Sequence, residues 1–148
     1  MPAANIVLNA SPLILLCNSD LSFVLPELFT EIVVPEAVWQ EIVRGSHQDR
    51  AAQLLPELDW LKRESTNLVP DVVHWDLGAG ETEVISFALN HSGYTPVLDD
   101  MLGTGSILIL AKERGLIESV EQSLRALQNV GLWITEPVIQ MLKEQAGE

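Results

Sequence analysis

The chain has little positive charge with which to grip a polyanion, and almost nothing with which to cross-link itself. Its 148 residues hold eight Lys and Arg against twenty-one Asp and Glu, a formal net charge of −13. Phosphate contacts are made chiefly by Lys and Arg, so broad charge-driven adhesion to nucleic acid or anionic lipid is excluded. Chemistry on a nucleic acid would need bound cations or a basic partner to offset that field. Cys17 is the single cysteine, which rules out an intramolecular disulfide and the disulfide-framed scaffolds of secreted proteins. Its setting, LILLCNSD, reads as buried helix and inert packing. Aromatic residues make up only 5% of the chain, and Trp39, Trp60, Trp75 and Trp133 have no spacing that forms a base-stacking platform. Core or interface packing is expected of them. His47, His74 and His91 lack close Cys or His neighbours, which argues against zinc. No apolar run approaches the ~20 residues of a membrane span. The stretch MPAANIV has no basic region ahead of an apolar core, so the expectation is a cytoplasmic protein with no signal peptide and no membrane contact.

What is present is apolar: 47% of residues are hydrophobic, enough at this length to bury about two-thirds of the unfolded surface in one domain over residues 1–148. Along the chain, short apolar runs alternate with helical patterns. Asn5 to Leu8 reads as a strand, and Ser11-Pro12 as a helix start with Ser11 as N-cap and Pro12 at the first helical position. A short helix is expected over Leu21 to Phe29, a strand over Glu31 to Val34 ending at Pro35, and a helix from Glu36 to Arg44 stopped by Gly45. Gln48 to Leu55 reads as helix and Trp60 to Arg63 as a weak strand, while Thr66 to Gly80 is mostly irregular. Glu81 to Asn90 is an amphipathic helix, Tyr94 to Leu98 a strand, and Gly103 to Arg114 and Ser119 to Asn129 are helices. A last helix capped at Thr135 runs to about Gln145, and Trp133 with Ile134 adds a short strand. This alternation predicts an α/β fold with a mostly parallel sheet.

In such sheets, sites gather at the carboxyl ends of strands, where Asn9 and the Asp99-Asp100 pair fall. Glu41 lies on the helix after the second strand, and Glu81 just inside a helix behind the turn Leu77-Gly78-Ala79-Gly80. Oxygen-bearing side chains converging from separate elements suit a hard cation such as Mg²⁺, which polarises phosphodiesters and activates water. Hydrolysis of RNA or DNA is the matching reaction class. Each residue also has a bland role: Asn9 and Ser11 as turn and cap, Glu41 as a solvated carboxylate, Glu81 as a partner of the helix dipole, and Asp99-Asp100 as a turn. Glu83 is expected to face solvent. Gly103 to Ser106 lacks the Gly-Lys-Ser/Thr ending of a phosphate-binding loop and reads as a helix start.

The ordered series NASPLI, PEAVWQEIV, LGAGETEVISFAL, VLDD and GTGSILILAKERGLI resembles the PIN-domain family, in a branch related to VapC-type toxin ribonucleases. The resemblance spans nearly the whole chain. It implies a Rossmann-like three-layer α/β/α sandwich and a Mg²⁺- or Mn²⁺-dependent endoribonuclease, commonly the toxin of a toxin–antitoxin pair and often a homodimer. Carried over by position, it makes Asn9, Glu41, Glu81 and Asp100 the catalytic and metal-binding residues, with Asp99 beside them as a further metal-site acid and Ser11 as a nearby polar group. Asn9 stands where an aspartate is usual, and an amide oxygen can ligate a metal without adding negative charge. The alternative is a catalytically degraded PIN-like module that binds a protein partner.

The resemblance breaks at Asp100-Met101-Leu102-Gly103, where related chains place a helix and a short strand. Either a strand is lost there or residues are missing from the sequence, and the Cα spacing across the junction would decide. The apolar residues Leu132, Trp133 and Ile134, with Val24, Leu25 and Phe29, are expected to exceed what a monomer hides and to line a homodimer interface.

Overall fold

Strand β1, Ala4–Leu8, runs from an exposed first residue to fully buried Val7 and Leu8, the pattern of a strand covered on both faces toward its carboxyl end. The structure, a computed structural model, describes residues 4–45, 50–98 and 102–148, with only the backbone of Leu102. Helix α1 (Ala10–Asn18) follows at once, and Asn9 rather than Ser11 holds the N-cap position in extended conformation. Ser11 is exposed within the first turn. Pro12 still sits there too, where a missing N–H leaves no partner wanting.

Helix α2 (Val24–Leu28) is shorter than its apolar spacing suggested, because Phe29 belongs to β2 (Phe29–Pro35). Phe29 pairs with Ala4, so ladder bonding to β1 overrides the local helical pattern. Then come α3 (Glu36–Val43), α4 (Arg50–Leu54) with a 3-10 turn at Leu55–Glu57, and β3 (Leu61–Glu64). Gln48 and Asp49, expected in α4, lie outside the described residues. A one-turn helix α5 (Pro70–Val73) interrupts the segment expected to be irregular, with Pro70 in its first turn. Helix α6 (Ala79–Asn90) starts two residues earlier than expected and is followed by β4 (Tyr94–Val97). Helices α7 (Leu102–Glu113), α8 (Val120–Asn129) and α9 (Glu136–Gln145) complete the fold.

The strands form a parallel sheet in the order β3-β2-β1-β4. Parallel neighbours cannot be joined by tight hairpins, which is why helices lie between them. Helix α6 packs on β1, β2 and β4 with α3 and α5 beside it, whereas α2 packs on β2 and leads to α7, α8 and α9, giving the expected three-layer α/β/α arrangement. One apolar cluster, including Leu8, Leu16, Leu25 and Ile32, fills the space around the sheet. A second joins Leu15 of α1 to Leu108, Leu124, Leu127, Ile139 and Leu142 of the last three helices. Cys17 is fully buried, as expected. Tyr94 of β4 and Lys62 of β3 both donate to Glu31 of β2. Those donors, Lys62 foremost, lower the Glu31 pKa, while Glu31 pushes the Tyr94 phenol up to about 12.

The expected homodimer surface is internal. Leu132, Ile134, Val24, Leu25 and Phe29 are all at most 9% exposed, because the α8–α9 loop folds into the second cluster and α2 lies against the sheet. Trp133, 80% exposed, is the outward member of its stretch, and neither it nor Ile134 forms a strand. Trp39 and Trp60 pack against the core, as expected, while Trp75 is exposed.

Among the described residues β4 is an edge strand, and Met101, at the junction where the resemblance breaks, lies outside them. The Val97 carbonyl accepts the Asn9 backbone N–H at 3.0 Å, so Val97 turns its polar backbone groups toward β1. Groups on a strand alternate, so those of the exposed Pro96 face the open edge, where proline offers no N–H. This edge is blunted against pairing with another strand.

Candidate functional site

Each side chain of the site comes from the carboxyl end of the sheet. Asn9 follows β1 directly, Glu41 rides on the helix after β2, and Glu81 lies in the first turn of α6. Asn9 is 8% exposed, and its side chain makes no cap bond to α1. Instead Nδ2 donates to the Leu98 carbonyl at 3.1 Å, just past β4. A carbonyl can only accept, so this bond fixes which end of the amide faces β4 and turns Oδ1 the other way.

Oδ1 faces α6. A Cβ built on Gly80 would lie 3.2 Å from Asn9 Oδ1, 3.1 Å from Glu41 Oε1 and 3.2 Å from Val38 Cγ2. The two oxygens thus meet over the bare backbone of Gly80, from elements far apart in sequence. On α3, Val38 and Ile42 are buried, and Glu41, one turn from Val38, reaches along the same side while remaining exposed. Glu81 is also exposed and adjoins Gly80. At the start of α6, Thr82 Oγ1 donates to the Gly78 carbonyl at 2.8 Å.

Two further contacts hold α3 in place. Glu83 does not simply face solvent: its Oε1 accepts the Ala37 N–H at 2.9 Å, so a carboxylate from α6 satisfies an open donor in the first turn of α3. Charge and dipole outweigh solvation there, a relation between elements that spacing along one helix does not reveal. Arg63 of β3 grips both oxygens of Glu36 at 2.6 Å and lies over the Trp39 ring at 4.7 Å. The Arg63 bond foremost, with Gln40 assisting, pulls Glu36 down to about 2.

Of the expected site residues, the structure brings Asn9 and Glu41 together and puts Glu81 next to them in the chain from Gly80. Asp99 and Asp100 lie outside the described residues, and among the described residues no three Asp, Glu, His or Cys side chains gather into a metal cluster. The donor set that is described is oxygen alone, an amide and a carboxylate that lie 3.2 and 3.1 Å from where a Cβ on Gly80 would stand. Such donors fit Mg²⁺ or Mn²⁺. Gly80, Leu98 and Glu83 were not singled out for these positions in the sequence. The run Leu77-Gly78-Ala79-Gly80 carried the available signal, since glycine permits close approach of a backbone.

A profile of the PIN domain matches residues 5–148, and the chain belongs to the PIN-domain family. That family has a nuclease-type fold and generally uses divalent metal ions. No curated protein and no solved structure matches the chain. No described helix is long and apolar enough to cross a membrane.

Proposed function

We propose that the chain is a Mg²⁺- or Mn²⁺-dependent endoribonuclease of toxin type, restrained by a cognate antitoxin protein. The observation that carries the reading is the approach of Asn9 Oδ1 and Glu41 Oε1 over Gly80. Asn9, Glu41, Glu81 and Asp100 are the metal ligands, direct or through water, and Asp99 is an auxiliary acid. A divalent cation bound there supplies positive charge and Lewis acidity to a phosphodiester.

The chain's own residues do the rest. Asn9 holds its oxygen in place by tying its nitrogen to β4, so the ligand needs no reordering when a cation arrives. Being neutral, it adds an acceptor without adding to the repulsion among neighbouring carboxylates. Glu41, exposed at the end of a side chain, is free to adjust its geometry. A cation held among these oxygens answers the charge problem of an acidic protein acting on RNA, and a basic antitoxin segment would be attracted by the same field. The toxin assignment is supported by the resemblance of the ordered motifs.

Incubation with structured and single-stranded RNA, with Mg²⁺, Mn²⁺ or excess EDTA, tests the reading. Cleavage that needs the metal and disappears in Glu41→Gln and Asp100→Asn supports it. Absence of cleavage with either metal overturns it in favour of a binding module.

A further inference from the structure

Gly80 is a glycine without a backbone reason to be one. It is the second residue of α6 and is not among the residues of positive φ. In a helix, alanine is ordinarily favoured over glycine. Space supplies the reason that conformation does not, since Glu41 Oε1, Asn9 Oδ1 and Val38 Cγ2 all stand 3.1 to 3.2 Å from where a methyl would be. These neighbours yield unequally. Val38 is 0% exposed, and Asn9 is buried with its nitrogen tied to Leu98, whereas Glu41 is an exposed, flexible side chain. A methyl at position 80 would therefore be accommodated chiefly by a shift of a few tenths of an ångström in the Glu41 carboxylate.

We propose that Gly80 is a positioning residue: by carrying no side chain it lets Asn9 Oδ1 and Glu41 Oε1 both come close to the α6 backbone, where they would hold a divalent cation. The inference rests on the metal-site reading above. Its rival is that Gly80 serves only the close crossing of α6 over α3, a role that would show in stability and would not depend on Glu41.

Calorimetric titration with MnCl₂ separates these, using wild type, Gly80→Ala, Glu41→Gln, the double variant and Gly78→Ala. Gly78 is the control because a Cβ there meets nothing within 4 Å. The expected result is Mn²⁺ affinity lowered about tenfold or more in Gly80→Ala, unchanged in Gly78→Ala, and no lower in the double variant than in Glu41→Gln. Such non-additivity is the mark of two residues acting through one feature. Wild type that binds no Mn²⁺ overturns the metal reading and this inference with it. Wild type that binds while Gly80→Ala binds equally well, or losses that simply add, overturns the role of Gly80 and leaves the metal reading standing. If Gly80→Ala melts below the assay temperature, adding Val38→Ala removes the apolar clash. Affinity still lost in that folded variant supports the proposal, and restored affinity overturns it.

Discussion

The Asn9 side-chain nitrogen donates to the Leu98 carbonyl at 3.1 Å, so the residue just after β1 is tied to the residue just after β4. An aspartate at position 9 cannot make that bond, because its carboxylate only accepts. Asn9→Asp is therefore expected to lose about 0.5–1.5 kcal/mol of stability without metal, the net worth of a part-buried hydrogen bond. Urea unfolding at neutral pH checks this, and a variant as stable as wild type would show that the Leu98 bond does not orient Asn9.

The Glu83 contact predicts a second loss. Glu83→Ala removes an acceptor at the N-terminus of α3 and should cost about 0.5–2 kcal/mol, the range of a lost N-cap. Glu83→Gln keeps an oxygen and should cost less. Equal unfolding midpoints for wild type and Glu83→Ala would mean that Glu83 serves only as a surface charge.

How much of this was legible in the sequence depends on the range of the interaction involved. Strands at residues 5–8 and 94–97 and helices at 36–43 and 120–129 were visible, because each has its apolar residues or caps arranged locally. Ser119, for example, caps α8 by accepting the Gln122 N–H at 3.1 Å. The end of α2 and the start of β2 were misplaced because pairing with β1 claims Phe29. Leu132 and Ile134 read as interface residues in the sequence because no local pattern shows a loop turning inward to meet Leu124 and Ile139. Asn9 and Glu41 stand out as candidates through chemistry and resemblance, and folding sets an oxygen of each beside Gly80. Gly80 went unassigned because its meaning lies in the oxygens of two other elements, which only packing brings near.

A third prediction concerns acid. Burial tends to raise the Glu148 pKa, but the Lys112 ammonium, the Val120 and Glu121 amides and the Ser119 hydroxyl outweigh it and pull the group down to about 2 from 4.5. A depressed folded-state pKa stabilises above the unfolded value, and that contribution is lost as pH falls through the folded one. Glu148→Gln should thus melt below wild type at pH 7, with the gap narrowing between about pH 5 and 2. A gap that stays constant across that window would contradict the assignment. The Glu148 side chain is 14% exposed, so the effect should also resist added salt better than that of open surface pairs.

The most direct test of the central claim is the chemistry of the cut ends. Purified protein is incubated with single-stranded RNA in Mn²⁺ or Mg²⁺, in excess EDTA, and with Glu41→Gln in place of wild type, and the termini of the products are identified. Hydrolysis by water at an oxygen-ligand metal site predicts cleavage only with the metal, loss in Glu41→Gln, and fragments bearing ordinary phosphate and hydroxyl ends. Cleavage that persists in EDTA and leaves 2′,3′-cyclic phosphates would contradict the account, because the RNA's own 2′-hydroxyl, rather than water at the Asn9–Glu41 site, would then be the nucleophile.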